Sequence, residues 1–569
     1  MKTGTKIIST GIFVLFFFIG WKIGNSPVNY SIKVVKEQAN AVKRNLYSPP
    51  YINIPPNYIS DVQYKMDVLH YNLNLNLYPK EKILKGNVTI TGILKDENVS
   101  EIDFNLYDNM KIEKLTLNGK KDLFRQEGTR LSIPLTEMNS DTFVVEVVYS
   151  GKPKRMGFAS FSFGEINGKS VVYSLSEPTY ASTWFPCNDM PSDKATMDIE
   201  ITNDSIYTSA SNGLLISKET KGGRTTYHWR TNYQISTYLI SLYSSVYKEF
   251  TDEYVSPLTQ DSMKLEYYAF PEHLDNAKID FADHPKMISF FAKTFGEYPF
   301  IKEKYGVAEF LWQLGAMEHQ TLTGIGSNFV GGRKFFNDIY VHELSHQWFG
   351  DAVGPATWKD IWLNEGFATY CEALYAEHIG GPQAIQSSML SKRRDNFVGT
   401  LYNPEDMFGP TVYDKGGWVL HMLRWEVGDS TFFKILRDYF EKYKYKSATT
   451  QDFENVCESV SGKDLKQFFN QWVFDGDDQI RMNVDWNAES ETNGKYLIKM
   501  KLEQIQHRYK VFNFPVEFQF LDKNGKFENA TFKVDSRTQT IQYELKFEPV
   551  IIIADPSNWL LADINVSHK

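Results

Sequence analysis

The sequence predicts a multidomain α+β protein in which a mostly helical region separates two regions of β-strands. Apolar and polar residues alternate from about residue 60 to 248 and again after about residue 475, a pattern typical of half-buried strands. Between about 275 and 472, apolar residues recur at three- and four-residue spacing, which indicates amphipathic helices. A chain of 569 residues is long enough for about three or four domains.

The N-terminal segment, residues 1–24, has the pattern of a membrane anchor or signal peptide. Lys2 and Lys6 precede an apolar run over residues 7–21, which fits the positive and hydrophobic regions of such a signal. Extended to residue 24, the run approaches the roughly 20 residues that span a bilayer. Gly24 and Ser26 have the spacing of a cleavage site, but Pro27 would follow the cut. We expect an uncleaved single-pass anchor in the cell membrane, with the bulk of the chain outside the cytoplasm. The alternative is cleavage and secretion.

Four further regions follow the anchor. Residues 25–57 are polar and contain four prolines between residues 49 and 56, which predicts a linker or stalk. Residues 58–248 are predicted to form an N-terminal β-sheet domain, because the stretch from His70 to Leu77 alternates without a break and Asn118-Gly119 is a turn signal. Residues 249–474 form the predicted central, mostly helical domain, with helices at about 338–350, 363–379 and 416–427. Residues 475–569 are predicted to form a β-sandwich, with a hairpin turn at Asn524-Gly525.

Composition excludes several classes of protein. The net charge of -9 and pI near 5.8 argue against a nucleic-acid binder, which normally carries a basic surface. The three cysteines, Cys187, Cys371 and Cys457, are widely spaced and odd in number. This excludes a disulfide scaffold and a cysteine zinc cluster.

A metal site is indicated by the segment His342-Glu343-Leu344-Ser345-His346. Histidines four residues apart project from the same face of a helix and can bind one Zn²⁺. Glu343 is placed to act as the general base toward water. A catalytic zinc usually has a third protein ligand, and Glu365 in the next predicted helix can supply it. Glu365 stands among apolar and aromatic residues, where an unpaired charge is costly.

The pattern His-Glu-x-x-His, with eighteen residues between His346 and Glu365 and with Glu365 inside Asn364-Glu365-Gly366, resembles the gluzincin aminopeptidase family of aminopeptidase N and the leukotriene-hydrolase enzymes. The resemblance covers nearly the whole chain after residue 60. It implies a central thermolysin-like, mostly helical zinc domain between the N-terminal β-sheet domain and the C-terminal β-sandwich. It also implies one Zn²⁺ per chain, held by His342, His346 and Glu365.

The resemblance implies a substrate-binding site as well. The stretch Gly315-Ala316-Met317-Glu318-His319 is similar to the family's G-x-M-E-N motif, although His319 replaces the usual asparagine. By this resemblance Glu318 would bind the α-amino group of the substrate, and Gly315 and Ala316 would line the substrate groove. Glu177, ten residues before Cys187, resembles the family's second amine-binding position. Two acids would then share one ammonium.

Tyr413, in the stretch from Pro410 to Gly417, resembles the family's catalytic tyrosine, which would donate a hydrogen bond to the oxyanion of the tetrahedral intermediate. Together these motifs predict a zinc-dependent aminopeptidase acting on peptides with a free N-terminus. Two alternatives stay open at this point. One is another zinc hydrolase of the same fold, acting as an endopeptidase or an epoxide hydrolase. The other is a non-catalytic surface protein that has kept the fold.

Overall fold

The computed structural model describes residues 52, 54, 57–96, 98–135, 140–491 and 494–569. The predicted anchor, residues 1–24, and all but three residues of the predicted stalk lie outside this described part. Within the described part, no helix is both long enough and apolar enough to cross a membrane.

The described residues of the N-terminal region form fifteen strands. They are β1 (Met66–Tyr78), β2 (Ile83–Leu94), β3 (Glu101–Asn105), β4 (Met110–Leu117), β5 (Lys120–Lys121), β6 (Arg125–Glu127), β7 (Arg130–Pro134), β8 (Thr142–Gly151), β9 (Ser160–Ile166), β10 (Lys169–Leu175), β11 (Ala195–Asp204), β12 (Thr208–Ala210), β13 (Leu214–Lys221), β14 (Arg224–Ile235) and β15 (Tyr243–Ser245). They form an eight-stranded sheet in the order β13-β14-β11-β1-β2-β8-β4-β5, a four-stranded sheet (β12-β15-β10-β9) and a three-stranded sheet (β3-β7-β6).

The alternation in β1 appears directly in its packing. Leu73, Leu75 and Leu77 are fully buried, while the asparagines between them face the more open side of the sheet. β1 pairs in parallel with β11 and antiparallel with β2. The predicted turn at Asn118-Gly119 joins β4 to β5, and both residues have positive φ.

The central region contains nine α-helices and seven strands within the described residues. They are β16 (Lys248–Val255), β17 (Ser262–Ala269), α1 (Leu274–Asp280), α2 (His284–Phe295), β18 (Lys304–Phe310), β19 (Ala316–Met317), β20 (Leu322–Gly326), α3 (Asn337–Ser345), β21 (Val353–Pro355), α4 (Trp362–Gly380), α5 (Pro382–Ser391), α6 (Gly416–Val427), α7 (Asp429–Tyr443), β22 (Lys446–Ala448), α8 (Thr450–Ser461) and α9 (Lys466–Phe469). Two π-helical turns, Thr411–Lys415 and Asn470–Phe474, precede α6 and follow α9.

A five-stranded sheet in the order β16-β17-β18-β20-β19 lies within this mostly helical region. Helical periodicity did not predict it. β18 and β20 are buried at every position, so they show no alternation of apolar and polar residues. The sheet places β19, which carries Ala316 and Met317, at its edge.

The C-terminal region has strands β23 (Ile480–Ser490), β24 (Tyr496–Gln504), β25 (Phe514–Leu521), β26 (Phe527–Val534), β27 (Thr538–Leu545), β28 (Ile551–Ala554) and β29 (Ala562–His568). A four-stranded sheet (β27-β24-β23-β29) accompanies a three-stranded one (β26-β25-β28). Phe520 of the smaller sheet stacks on Tyr543 of the larger at 5.4 Å between ring centroids. The hairpin predicted at Asn524-Gly525 joins β25 to β26. The predicted order of a β-sheet domain, a mostly helical domain and a C-terminal sheet domain is confirmed; the exact domain limits stay predictions.

Candidate active site

Two predicted metal ligands lie at the C-terminal end of α3. The helix carries His342 and ends at Ser345, so His346 immediately follows it. The predicted helix was longer, reaching residue 350. The chain turns away early toward Gly350, whose φ is +139° and where a Cβ atom would lie 2.9 Å from His346 Nδ1. A glycine is therefore required for this tight turn beside the ligand.

Glu365 brings the third ligand from α4. Its Oε2 lies 3.2 Å from His342 Nε2 and 3.5 Å from His346 Nε2, and the three side chains form one candidate metal group. Two donors bound tetrahedrally to zinc at about 2.1 Å would lie roughly 3.4 Å apart. The residues present therefore fit a zinc ion in both donor type and spacing.

The charge distribution also fits a cation. Burial alone would lower the pKa of His342, but Glu365 and Glu372 outweigh it and raise that pKa to about 10. Burial would raise the pKa of Glu365, but the two imidazoles lower it to about 2. The buried carboxylate of Glu365 is thus held ionised, as a metal ligand must be. Burial raises the pKa of the neighbouring Glu343 to about 8, which a bound cation would lower again.

Close helix packing brings Tyr413 to the same place. A Cβ atom on Gly366 of α4 would lie 3.0 Å from the Cα of Gly416 at the start of α6. The two backbones approach this closely because both residues are glycines. The π-helical turn that carries Tyr413 directly precedes Gly416. The Tyr413 ring stacks on His342 at 5.9 Å with an interplanar angle of 14°. Burial raises the pKa of Tyr413 well above its usual value, so its hydroxyl stays a hydrogen-bond donor.

The two predicted amine-binding acids converge on the metal group. Carboxylate oxygens of Glu177, Glu318 and Glu365 lie within 4.8 Å of one another, and Glu318, Glu343 and His346 form a further such set. Glu177 and Glu318 are 4% and 3% exposed, and each has one oxygen without a hydrogen-bond partner within the described residues. Burial, and then repulsion from Glu318, raises the pKa of Glu177. A positive charge placed between these two buried acids would pair with their ionised forms and use the free acceptor oxygens.

The groove residues lie beside these acids. Gly315 accepts a backbone hydrogen bond from Gly326, and Ala316 pairs with Ile325 across β19 and β20. Because β19 is an edge strand, its outer side can accept an extended peptide as an added strand. The backbone of Gly315 and Ala316, predicted to line the substrate groove, therefore lies at an open sheet edge just before Glu318.

The altered motif position, His319, is fully buried. Its Nδ1 lies 2.7 Å from the hydroxyl of Tyr243, and burial lowers its pKa to about 3. The ring therefore stays neutral. Its Nε2 has no hydrogen-bond partner within the described residues.

Two supporting residues escaped the sequence analysis. The side chain of Gln347 donates to the backbone oxygen of Glu318 at 3.2 Å and accepts from Thr321 N at 2.8 Å. It thereby ties the predicted metal-binding segment to the residues just after β19, which include the predicted amine-binding acid Glu318. Glu372, two helical turns after Glu365, has Oε1 2.8 Å from His342 Nδ1. Its seven-residue spacing from Glu365 could have indicated a position on the same face of α4; Gln347 gave no comparable signal.

Comparisons with known proteins agree with this geometry. The family model described as the peptidase family M1 domain matches residues 280–472, and the model described as the peptidase M1 N-terminal domain matches residues 68–239. Aminopeptidase N of Lactococcus lactis subsp. lactis is 28% identical over 71% of this chain and 50% of its own length. Glutamyl aminopeptidase of Bitis rhinoceros is 26% identical over 89% of this chain and 56% of its own. The chain spans about half the length of the curated relatives it matches.

Solved structures are similar as well. The M1 zinc metallopeptidase of Deinococcus radiodurans has a TM-score of 0.64 and 28% identity, over 72% of this chain and 93% of its own. Legionella pneumophila aminopeptidase A, at 19% identity, shares the fold with a TM-score of 0.76, over 89% of this chain and 60% of its own. The two family matches together cover more than half of the 569 residues. This chain belongs to peptidase family M1.

Proposed function

We propose that this chain is a zinc-dependent aminopeptidase that removes the first residue from peptides with a free N-terminus. The observation that carries the proposal is the pair of buried acids, Glu177 and Glu318, beside the candidate zinc ligands. An endopeptidase has no free substrate ammonium to bind and so no need for two buried carboxylates beside its metal group. The names of the two curated relatives described above, aminopeptidase N and glutamyl aminopeptidase, support the same activity.

The proposed reaction follows from the positions of the side chains. Glu177 and Glu318 hold the substrate ammonium and so place the first peptide bond next to the metal group. Zinc on His342, His346 and Glu365 would supply Lewis-acid polarisation of the carbonyl and a lowered pKa for the attacking water.

Proton transfer and charge stabilisation then fall to two other side chains. The carboxylate of Glu343 takes a proton from the attacking water and delivers it to the departing amine. The hydroxyl of Tyr413 donates a hydrogen bond to the carbonyl oxygen as negative charge develops there.

The direct test is release of a fluorophore from aminoacyl substrates by the purified protein. We expect release that stops with a zinc chelator and resumes when zinc is returned. Release that continues unchanged in chelator would overturn the proposal.

Replacing Tyr413 by phenylalanine should lower kcat by about 10²–10³-fold, the usual effect of losing one donor to an oxyanion. KM should change little, because the hydroxyl acts mainly on charge that develops during the reaction. Steady-state kinetics on one aminoacyl substrate measures both constants. The exposed Tyr64 provides the matched control, Tyr64→Phe, which should behave as wild type. A Tyr413→Phe protein with unchanged kcat would remove Tyr413 from the mechanism.

The same proposal includes a location outside the cytoplasm, with residues 1–24 as an uncleaved anchor and secretion after cleavage as the alternative. Its support is Lys2, Lys6 and the apolar run over residues 7–21. Mass spectrometry of the N-terminus, on protein from carbonate-washed membranes of expressing cells, tests it. An intact N-terminus in the membrane fraction is expected. A soluble protein that begins after residue 24 would favour the alternative.

A further inference from the structure

Lys392, just after the end of α5, contacts the carboxylate partner of a metal ligand. Its Nζ donates to Glu372 Oε2 at 2.6 Å, and the other oxygen of Glu372 lies 2.8 Å from His342 Nδ1. The side chains of Lys392 and Glu372 are each 8% exposed. Since a buried charge is retained only when it is paired, the ammonium and the carboxylate hold each other in place. Lys392 thereby fixes the carboxylate that orients the His342 ring.

Arg394, two residues further on, contacts the turn that carries Tyr413. Its guanidinium Nε forms an ion pair with Oδ2 of Asp414, the neighbour of Tyr413. Both side chains are largely buried. Thr411, at the start of the same turn, donates to the backbone oxygen of Val398 at 2.8 Å and accepts from its N–H at 3.1 Å. Residues 394–398 therefore hold the turn that carries Tyr413 through the Arg394–Asp414 ion pair and the two hydrogen bonds between the Thr411 hydroxyl and the Val398 backbone.

The same segment is attached to the C-terminal domain. Arg481 donates to the backbone oxygen of Asp395 at 3.2 Å, and the side-chain amide of Gln479 lies 3.4 Å from a carboxylate oxygen of Asp395. The segment is thus fixed from outside the catalytic region.

We propose that Lys392 and Arg394 are a pair of positioning residues that act on the two halves of the active site separately. Lys392 sets the metal affinity through Glu372 and His342, and Arg394 sets the position of Tyr413 through Asp414. The stacked rings of His342 and Tyr413 are the two groups whose relative position the segment fixes. The proposed role of Lys392 depends only on zinc binding at this site. The proposed role of Arg394 depends also on the proposed aminopeptidase activity.

Substitution of Lys392 should lower zinc affinity, whereas substitution of Arg394 should lower kcat. Groups that orient a metal-bound histidine typically change metal affinity by about 10–100-fold when removed. Lys392→Met should therefore weaken zinc binding by about that factor. Arg394→Met should leave zinc affinity unchanged and lower kcat by roughly tenfold at unchanged KM, because a displaced donor loses part of its effect. Arg394→Lys should recover part of the lost rate, since the charge remains but the planar geometry does not.

Zinc affinity is measured on metal-stripped full-length protein by competition with a chelating dye, and kcat on the reloaded protein. Lys286→Met is the matched control, because Lys286 pairs with Asp283 in a surface contact and its side chain is 77% exposed. A circular dichroism spectrum and melting curve for each variant establish that it is folded. The zinc measurement needs no substrate, so an inactive wild type would overturn the proposed function without removing the test of Lys392.

If Lys392→Met does not fold, a double-mutant cycle built on the milder Lys392→Gln replaces it. Glu372→Gln keeps the size of the side chain and removes the charge that Lys392 pairs with. It should weaken zinc binding by itself, and adding Lys392→Met or the milder Lys392→Gln should weaken it little further. The proposal is overturned if folded lysine variants bind zinc like wild type, if their effects add fully to that of Glu372→Gln, or if Arg394→Met changes zinc affinity rather than kcat.

Discussion

Replacing Glu343 by glutamine should lower kcat by about 10²–10⁴-fold, the usual contribution of a positioned general base. The side chain is buried and lies within 4.8 Å of Glu318 and His346, measured between their ligand atoms. Glutamine keeps its size but cannot accept a proton. Because Glu343 is not among the three proposed zinc ligands, zinc content should stay at one per chain. KM should change far less than kcat, since the proposed amine-binding acids, Glu177 and Glu318, are intact.

The measurement is steady-state kinetics on an aminoacyl substrate, together with metal analysis of the same sample. Glu441→Gln is the control: it makes the same chemical change on α7, at a side chain that is 71% exposed. A Glu343→Gln enzyme with nearly wild-type kcat would show that another group acts as the base. Loss of zinc together with activity would instead assign Glu343 to metal binding.

Removal of zinc should abolish activity and lower the melting temperature. A ligand that binds only the folded state stabilises it by about 2.7 kcal/mol at a free concentration 100 times its Kd. Without a cation, Glu365 and Glu372 keep the pKa of His342 raised, and Glu318 and Glu365 keep the pKa of His346 raised. Protons therefore compete with zinc for the imidazole nitrogens. We therefore expect zinc to bind more weakly as the pH falls.

Differential scanning calorimetry on stripped and reloaded protein tests this expectation. Adding zinc should raise the melting temperature and restore activity in the same titration. In His346→Ala, which lacks one of three ligands, the same zinc concentration should raise the melting temperature much less. Activity that persists after zinc has become undetectable by elemental analysis would exclude the zinc mechanism.

Much of the fold and the centre of the site could be predicted from local patterns. The alternation from His70 to Leu77 predicts β1 because a half-buried strand exposes every second residue. The spacing of His342 and His346 predicts a shared helix face because four residues complete about one turn. These features are encoded within a few neighbouring residues.

Other features depend on contacts between distant parts of the chain. β18 has no alternating pattern because both of its faces are buried by other elements. The early end of α3 depends on the turn at Gly350, and the placement of Tyr413 depends on the contact between Gly366 and Gly416. The contact of Lys392 with Glu372 joins side chains twenty positions apart. No periodicity in a single sequence records such pairings.

The central claim is that the two buried acids make this enzyme dependent on a free N-terminus. The most direct test compares one peptide with a free and with an acetylated N-terminus, and identifies the products by mass spectrometry over time. We expect stepwise loss of single N-terminal residues from the free peptide. Cleavage of the acetylated peptide should be slower by about 10²-fold or more, because the unpaired acids then stay buried without a cation. Equal cleavage of both peptides, or cleavage at internal bonds, would contradict the account.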